Sequence, residues 1–324
     1  MRALLVVIVL AIMGWGGWWY YASQTAMGFA KEAIAAARDR GWQLDISDLK
    51  VAGFPNRIDL TASEPTISPP DRAFTWSAPF LQAFSLSYKP WHLVTVMPPN
   101  QTLTLGDDTF SLTAKDLRSS LILTPNSDLA LDRFQIVGKD LNLRGTHHAE
   151  IESLSFATRP SIDRQLSHDI GLEIANMKVS HMLLVRLPEG IVRDPVHRMH
   201  LDAAMTFDRP LDRHALQVEP KLTNILIRKY ELVWDTMTLN VTGELSADAK
   251  GFAAGSLALE LQGKTQGLAI LRALEILEPY QMRLVESAVA AIAPGEAPLK
   301  MTLTFSEGAV KFGPIPLGPA PRLN

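Results

Sequence analysis

Alternation of apolar and polar residues with a period of two is the feature that most constrains how this chain can fold. It recurs along most of the sequence after residue 42, for example at Ile58, Leu60 and Ala62 and again at Leu257 and Leu259. Such alternation produces strands with one buried and one solvated face. Sheets built from such strands are normally antiparallel. The sequence therefore predicts a mainly β (α+β) protein with a long, antiparallel, curved sheet.

The beginning of the chain has a different character, because residues 3–22 carry no charge. A stretch of this length is enough to cross the hydrocarbon core of a bilayer as a helix. Aromatic rings of the type found at membrane interfaces crowd its end: Trp15, Trp18, Trp19, Tyr20 and Tyr21. They occupy the region where a cleaved signal peptide needs small residues. We therefore expect an uncleaved transmembrane anchor over residues 1–23, with a cleaved signal peptide as the alternative.

The orientation of this anchor is only weakly specified by charge. Arg2 precedes the apolar stretch, but Lys31, Arg38 and Arg40 follow soon after it, so the excess of positive charge does not mark one side clearly. A very short segment before the span and a long domain after it favour a signal anchor. We expect a single-pass inner-membrane protein with residues 23–324 in the periplasm.

Two further segments have helical character. Residues 24–41 predict a short amphipathic helix with Phe29, Ala33, Ala36 and Ala37 on one side. Residues 266–293 predict a helical hairpin interrupted at Pro279. The hairpin either covers the sheet as ordinary packing or caps a hydrophobic groove. The candidate apolar cap consists of Leu268, Leu271, Leu274, Leu277, Val285 and Val289.

Between the helices, residues 42–324 are expected to form a β-rich domain. Residues 181–199 contain prolines and glycine and predict a loop with short turns of helix. This loop suggests possible halves at 42–190 and 200–324.

Composition excludes several classes of function. The net charge is −3, with 31 Lys and Arg against 34 Asp and Glu, so there is no electrostatic basis for nucleic-acid binding. Cysteine is absent, which excludes disulfides, thiolate catalysis and Cys-ligated zinc. We expect no cofactor and no metal site.

Candidate catalytic and metal-binding motifs are weak. His148 and Glu150 share a strand face, and His197 and His200 lie three residues apart, but neither pair has a third ligand at a diagnostic spacing. Residues 258–265, ALELQGKT, fit the loosest form of a phosphate-binding loop, yet the supposed loop is itself an alternating strand. No catalytic residue is predicted.

Short motifs of glycine, proline and aromatic residues recur in the first third of the chain and at its end. The sequence around residues 51–60 reads as a bend between two alternating strands, with Arg57 on the face of Asp59. The end of the chain contains Gly308, Phe312-Gly313-Pro314 and Leu317-Gly318-Pro319. The motifs in the first third comprise Gly53, Phe54, Pro55, Arg57, Trp76, Pro79, Tyr88 and Pro90.

With these motifs the chain resembles a bacterial family catalogued as domain of unknown function 2125. The resemblance covers nearly the whole chain after the anchor, and the motifs are its structural signature. It implies a proteobacterial envelope protein, with the alphaproteobacteria as the expected group, and it supplies no activity or catalytic residues. The layout is also similar to that of AsmA-like envelope proteins, in which long antiparallel sheet follows one membrane helix.

The leading hypothesis is a non-catalytic, membrane-anchored periplasmic protein that binds or passes a lipid or another hydrophobic ligand along an apolar sheet face. The alternative is a structural or protein-interaction module of the cell envelope with a closed core. An enzyme is the third possibility and has no supporting constellation of residues.

Overall fold

In a computed structural model, the chain is described over residues 2–146, 148–179, 181–191, 195–295 and 297–324, apart from the side chains of residues 181–183 and 216. The helices in these residues are α1 (Arg2–Asp39), α2 (His181–Arg186), α3 (Lys264–Ala273) and α4 (Pro279–Ile292), with a 3-10 helix at Arg213–Leu216. The strands are β1 (Gln43–Asp45), β2 (Asp48–Ala52), β3 (Arg57–Ser63), β4 (Thr66–Ser68), β5 (Thr75–Ser77), β6 (Phe80–Leu86), β7 (Lys89–Val96), β8 (Asn100–Leu105), β9 (Asp108–Leu123), β10 (Leu131–Arg144), β11 (His148–Pro160), β12 (Ser167–Lys178), β13 (Val196–Phe207), β14 (Leu222–Trp234), β15 (Met237–Ala247), β16 (Ala253–Gln262), β17 (Leu299–Ser306), β18 (Ala309–Phe312) and β19 (Ile315–Pro319). The prediction of a mainly antiparallel β protein with an N-terminal apolar helix is confirmed.

Helix α1 is long and apolar enough to span a membrane. The anchor and the short helix that the sequence suggested are one continuous helix, since no proline interrupts residues 2–39. Ser23 is buried, and Ile34 is partly buried. Phe29 and Ala33 are exposed, although the sequence placed them on the apolar side. Ala36 and Ala37 are partly buried, so only the second half of the predicted apolar side is packed.

The chain forms two compact units. The first unit contains residues 1–136 and 212–218, and the second contains residues 137–211 and 219–324. Strand β10 begins in the first unit and ends in the second. This boundary differs from the possible halves on either side of residues 190–200, because the segment between β12 and β13 lies inside the second unit.

Strands of the first unit are interrupted where proline removes a backbone donor. Pro65 separates β3 from β4, and Pro79 separates β5 from β6. The register is kept across these breaks by hydrogen bonds from the Glu64 amide to the Pro79 carbonyl (2.9 Å) and from the Ala78 amide to the Pro65 carbonyl (3.2 Å). The short strands β3 and β4 therefore run as one bent strand beside β6 and β5.

Strands β11 to β19 of the second unit form an antiparallel meander. Each strand pairs with the next one in the sequence, from β11 with β12 through to β18 with β19. Helices α3 and α4 occupy the connection between β16 and β17, as the predicted helical hairpin requires, and Pro279 begins α4. Helix α2 lies in the connection between β12 and β13, where a loop with short helical turns was predicted.

Candidate functional site

The second unit carries a broad apolar face on one side of six consecutive strands, β12 to β17. We define this apolar face by three rows of residues that are paired directly across the strands. The central row is Leu172, Leu201, Tyr230, Val241, Leu259 and Met301. The second row is Ile174, Met199, Leu232, Leu239, Leu261 and Leu299. The third row is Ile170, Ala203, Ile227, Gly243, Leu257 and Leu303.

The opposite side of the same strands is a ladder of charges. Directly behind the central row lies a row of polar and charged partners: Glu173, His200, Glu231, Asn240, Glu260 and Lys300. Arg198 bridges Glu173 (2.6 Å) and Glu231 (3.2 Å). The hydrogen bond from Arg198 holds the pKa of the Glu173 carboxyl below its usual range. The sheet therefore has one solvated face and one apolar face, as the alternation predicts.

The two ends of the apolar face are covered. Near Leu261 and Leu299, a cluster of packed side chains includes Val285 and Val289 of α4. Beyond the third row, Leu245 and Phe305 pack with Ala320 of the C-terminal segment. These clusters bury the margins of the apolar face.

The middle of the apolar face is only partly covered. Within the central row, Val241 is buried and Met301 packs against the cluster of α4. Leu172, Leu201, Tyr230 and Leu259 are partly exposed. Within the described part of the chain, none of these four belongs to a packed cluster. Burial nevertheless raises the pKa of the Tyr230 phenol, which indicates poorly hydrated surroundings. The centre of the face is therefore an apolar surface between two packed margins.

The helical hairpin does not present its six candidate cap residues as one stripe. Val285 and Val289 are buried against Leu299, and Leu268 and Leu277 pack against the same cluster. Leu271 is partly exposed and Leu274 is exposed. Leucines spaced by three residues drift around a helix of 3.6 residues per turn, so Leu268 and Leu274 point in different directions.

Two open depressions on the second unit are lined mainly by polar groups. One has a volume of about 360 Å³ and includes Glu150, Glu152, Asn176 and Lys178. The other has a volume of about 420 Å³ and lies beside Thr236, Thr265 and Gln266. Neither depression includes a residue of the three rows. The apolar face is therefore not part of either depression.

The signature turn of the first unit connects β2 and β3 across residues 53–56, as the sequence predicts. Gly53 has φ +105°, and a Cβ there would lie 2.8 Å from the Arg57 carbonyl oxygen, so only glycine fits. The Phe54–Pro55 peptide bond is cis. Arg57 donates a hydrogen bond to Asp59 (3.0 Å) and stacks over the Phe84 ring. Arg57 is therefore tied into the sheet as a structural residue.

The other signature residues lie where strands bend or turn. The Trp76 indole donates to Gln101 (2.8 Å), which is 4% exposed and donates in turn to the Pro98 carbonyl (3.0 Å). Pro79 accepts the bond across the interruption of β5 and β6. Tyr88 is 53% exposed in the turn between β6 and β7, and Pro90 follows it in β7. These residues shape the first unit and do not converge on a reactive centre.

Comparison with known proteins agrees with this distribution of motifs. Residues 18–321 match the family DUF2125, described as an uncharacterized protein conserved in bacteria. The chain belongs to this family. No curated protein and no solved structure matches the chain. The match covers the whole sheet of this DUF2125 protein, so both units are parts of the family's common structure.

Two of the candidate histidines of the DUF2125 chain are paired with nearby carboxylates. His148 lies 3.1 Å from Glu150, and His200 lies 2.6 Å from Glu173. His197 accepts a hydrogen bond from the Asp235 amide (3.3 Å). His147 lies outside the described residues. Over the residues that the structure describes, no three His, Asp or Glu side chains form a group that could hold a metal ion.

The stretch that loosely fits a phosphate-binding loop is a strand followed directly by a helix. Strand β16 continues to Gln262, and α3 begins at Lys264 after the single residue Gly263. The Lys264 ammonium group donates to the Ala293 carbonyl. A single glycine is too short a turn to encircle phosphates.

One buried histidine of the DUF2125 protein predicts a dependence of stability on pH. His168 is 7% exposed beside Thr158, and burial lowers the pKa of its imidazole below the ordinary value of 6.5, against the opposing charge of Asp169. The folded state therefore disfavours the protonated form, and stability falls as the pH decreases below 6.5. We expect the urea midpoint of the full chain to fall between about pH 7.5 and pH 5.5 and to fall less in His168→Gln.

In that pH window the carboxylates with lowered pKa, such as Glu150 and Glu173, remain ionised in both states. An equal drop in the midpoint of the wild type and of His168→Gln would contradict the assignment to His168.

Sequence reasoning did not find the contacts of the two tryptophans in α1. The Trp15 indole donates to the Pro55 carbonyl (2.8 Å), and the Trp19 indole donates to the Arg57 carbonyl (2.6 Å). Both tryptophans had been assigned only to the membrane interface. Their aromatic character was visible, but no local pattern indicates a partner about 40 residues away.

Proposed function

We propose that this DUF2125 protein is a non-catalytic, single-pass inner-membrane protein whose sheet stands in the periplasm. Its second unit holds or passes a lipid acyl chain or another hydrophobic molecule along the apolar face. The observation that carries this proposal is that four residues of the central row are partly exposed between packed clusters: Leu172, Leu201, Tyr230 and Leu259.

The dimensions of the apolar face suit an elongated apolar ligand. Six strands spaced about 4.8 Å apart make each row about 24 Å long. Residues of the three rows are buried or partly buried, so such a ligand would contact the four partly exposed side chains of the central row. One side chain of the central row carries a polar group, the Tyr230 hydroxyl. A hydrogen bond to this hydroxyl would orient a ligand, and the ligand would not need to carry a charge. The charge ladder on the other side leaves only one face available to such a ligand.

The second candidate is a structural or protein-interaction module. It is favoured by exposed apolar side chains on the outer side of the helical hairpin, where Leu274 is 45% exposed, Ile276 67%, Tyr280 53% and Leu284 46%. In this alternative the central row packs as ordinary core and carries no ligand.

The experiment that tests the proposal compares two substitutions in β16. Leu259→Glu places a charge in the central row, and Ala258→Glu places the same charge on the opposite face, where Ala258 is exposed between Thr242 and Thr302. The full chain is purified from membranes, and its lipids are measured by mass spectrometry against an unrelated single-pass protein.

We expect enriched lipid in the wild type and in Ala258→Glu, and about tenfold less in Leu259→Glu, since a loss of about 1.4 kcal/mol of binding free energy suffices for that change. Absence of enrichment in the wild type would refute lipid binding. If Leu259→Glu also unfolds at a much lower urea concentration in that case, the central row is a closed core and the second candidate stands.

A further inference from the structure

Two neighbouring turns of the first unit carry exposed aromatic rings beside α1. Phe54, in the turn between β2 and β3, is 58% exposed, and Tyr88, in the turn between β6 and β7, is 53% exposed. The turns are joined because the Ser87 amide and hydroxyl both donate to the Asn56 carbonyl, at 3.0 Å and 3.2 Å. They form one surface, which we call the aromatic tip and define as residues 53–57, 87 and 88.

The aromatic tip is fixed to the apolar part of α1. The indoles of Trp15 and Trp19 donate to carbonyls of the tip, and the Trp19 ring meets the Phe54 ring edge to face at 5.5 Å. At a rise of 1.5 Å per residue, Trp15 lies about 10 Å before Ala22 along the helix axis. The tip therefore lies beside the uncharged segment of α1 and not beyond its end.

The backbone of the tip has little need of water. Four of its carbonyl oxygens accept hydrogen bonds within the protein: Gly53 from the Arg57 amide, Pro55 from Trp15, Asn56 from Ser87 and Arg57 from Trp19. Pro55 has no amide proton to satisfy. The guanidinium group of Arg57 is paired with the Asp59 carboxylate. A polar backbone can enter a poorly hydrated layer only when it is satisfied in this way.

We propose that the aromatic tip is immersed in the interfacial layer of the bilayer next to α1, with the Phe54 and Tyr88 rings among the lipid headgroups. Aromatic rings with an apolar body favour this layer, and the exposed Lys89 beside Tyr88 is suited to lipid phosphates. The partner is the lipid surface itself. The first unit is therefore attached to the membrane by its sheet as well as by its helix. This inference rests on the membrane anchor of the proposed function, but not on lipid binding by the apolar face.

The absence of cysteine allows a direct test, because each single-cysteine variant carries one probe. Phe54→Cys, Tyr88→Cys, Asp107→Cys and Ile8→Cys are labelled with an environment-sensitive fluorophore, and the full chain is placed in lipid nanodiscs. Asp107 is exposed in the turn between β8 and β9, at the other end of β9 from the residues that pair with β7. Ile8 reports the anchor. Quenching by spin-labelled lipid is measured at each site.

We expect strong quenching at residues 8, 54 and 88, with blue-shifted emission at 54 and 88, and at least fivefold weaker quenching at 107. Quenching at residue 8 together with values at 54 and 88 as weak as at 107 would overturn the inference and leave the anchor intact. No quenching at residue 8 would instead refute the anchor, and the inference with it. The Tyr88→Cys variant keeps the contact between Trp19 and Phe54. If Phe54→Cys does not fold, the probe at residue 88 still tests the inference.

Discussion

Replacing Gly255 with alanine is expected to lower the free energy of unfolding of the second unit by about 3 kcal/mol or more. Gly255 has φ +139°, and a Cβ there would lie 2.2 Å from the Glu244 carbonyl oxygen in the neighbouring strand β15. A residue with a side chain rarely adopts that backbone conformation. The Glu244 oxygen belongs to the backbone, so it cannot move aside by a side-chain rotation. The strands β15 and β16 would have to separate at the margin of the apolar face, where Leu245 and Phe305 pack.

The matched control is Gly171→Ala in β12 of the same sheet. No atom lies within 4 Å of a Cβ built at Gly171, and its φ is not positive. We expect a change within about 0.5 kcal/mol, since alanine also costs less conformational entropy than glycine in a strand. Hydrogen exchange and urea titration of the full chain measure both variants. Equal stabilities of the two variants would show that β15 and β16 are not packed as described.

The second large effect is expected for Leu299→Ala. Leu299 begins β17, is 2% exposed and packs in one cluster with Val285, Val289 and Phe312. Removing this side chain loses its burial and leaves a cavity, which costs about 2–5 kcal/mol for a buried leucine. Because the cluster attaches the helical hairpin to the sheet, hydrogen exchange of the α4 amides should accelerate together with those of β17.

Leu284→Ala in α4 removes the same atoms from an exposed position. Leu284 is 46% exposed, so its truncation should change the free energy of unfolding by no more than about 0.5 kcal/mol. If both leucines cost the same, or if α4 exchanges rapidly already in the wild type, the helical hairpin is not held by this cluster.

The strands and the turn at residues 53–56 could be predicted from the sequence because their signals are local. Ile58, Leu60 and Ala62 alternate within one strand, and Gly53 with Pro55 marks the adjacent turn. The position of Arg57 on the same face as Asp59 was also predicted, and the structure pairs the two side chains. Each of these needs information from only a few consecutive residues.

Other features depend on residues that meet only in the fold. Bonds from Trp15 and Trp19 to the signature turn join positions about 40 apart. The direction of Leu274 depends on how α3 is rotated against the sheet. The alternation of side chains between the two faces shifts by one residue at two places. One is Asn176 in β12, with φ +48°, and the other lies between Val196 and Arg198 in β13. Met177 and Val196 thereby join the packed cluster around Trp234, which a strict period of two does not predict.

The candidate site was only partly visible in the sequence. Alternation indicated that an apolar face exists, and Leu257, Leu259 and Leu261 lie on it. Which part of that face is packed and which is exposed depends on where α4 and the C-terminal segment lie. Val285 and Val289 pack at its margin, whereas Leu274 points away from it.

The meander of the second unit has a consequence for how the protein reaches its native state. From β12 to β19, each strand pairs with the strand that precedes it in the sequence. Sheets with mainly sequential pairing close only short loops at each step, which favours fast folding. The sheet can therefore grow one hairpin at a time as the chain is synthesised. The longest delay between two paired strands follows β16, because α3 and α4 are synthesised before its next partner, β17.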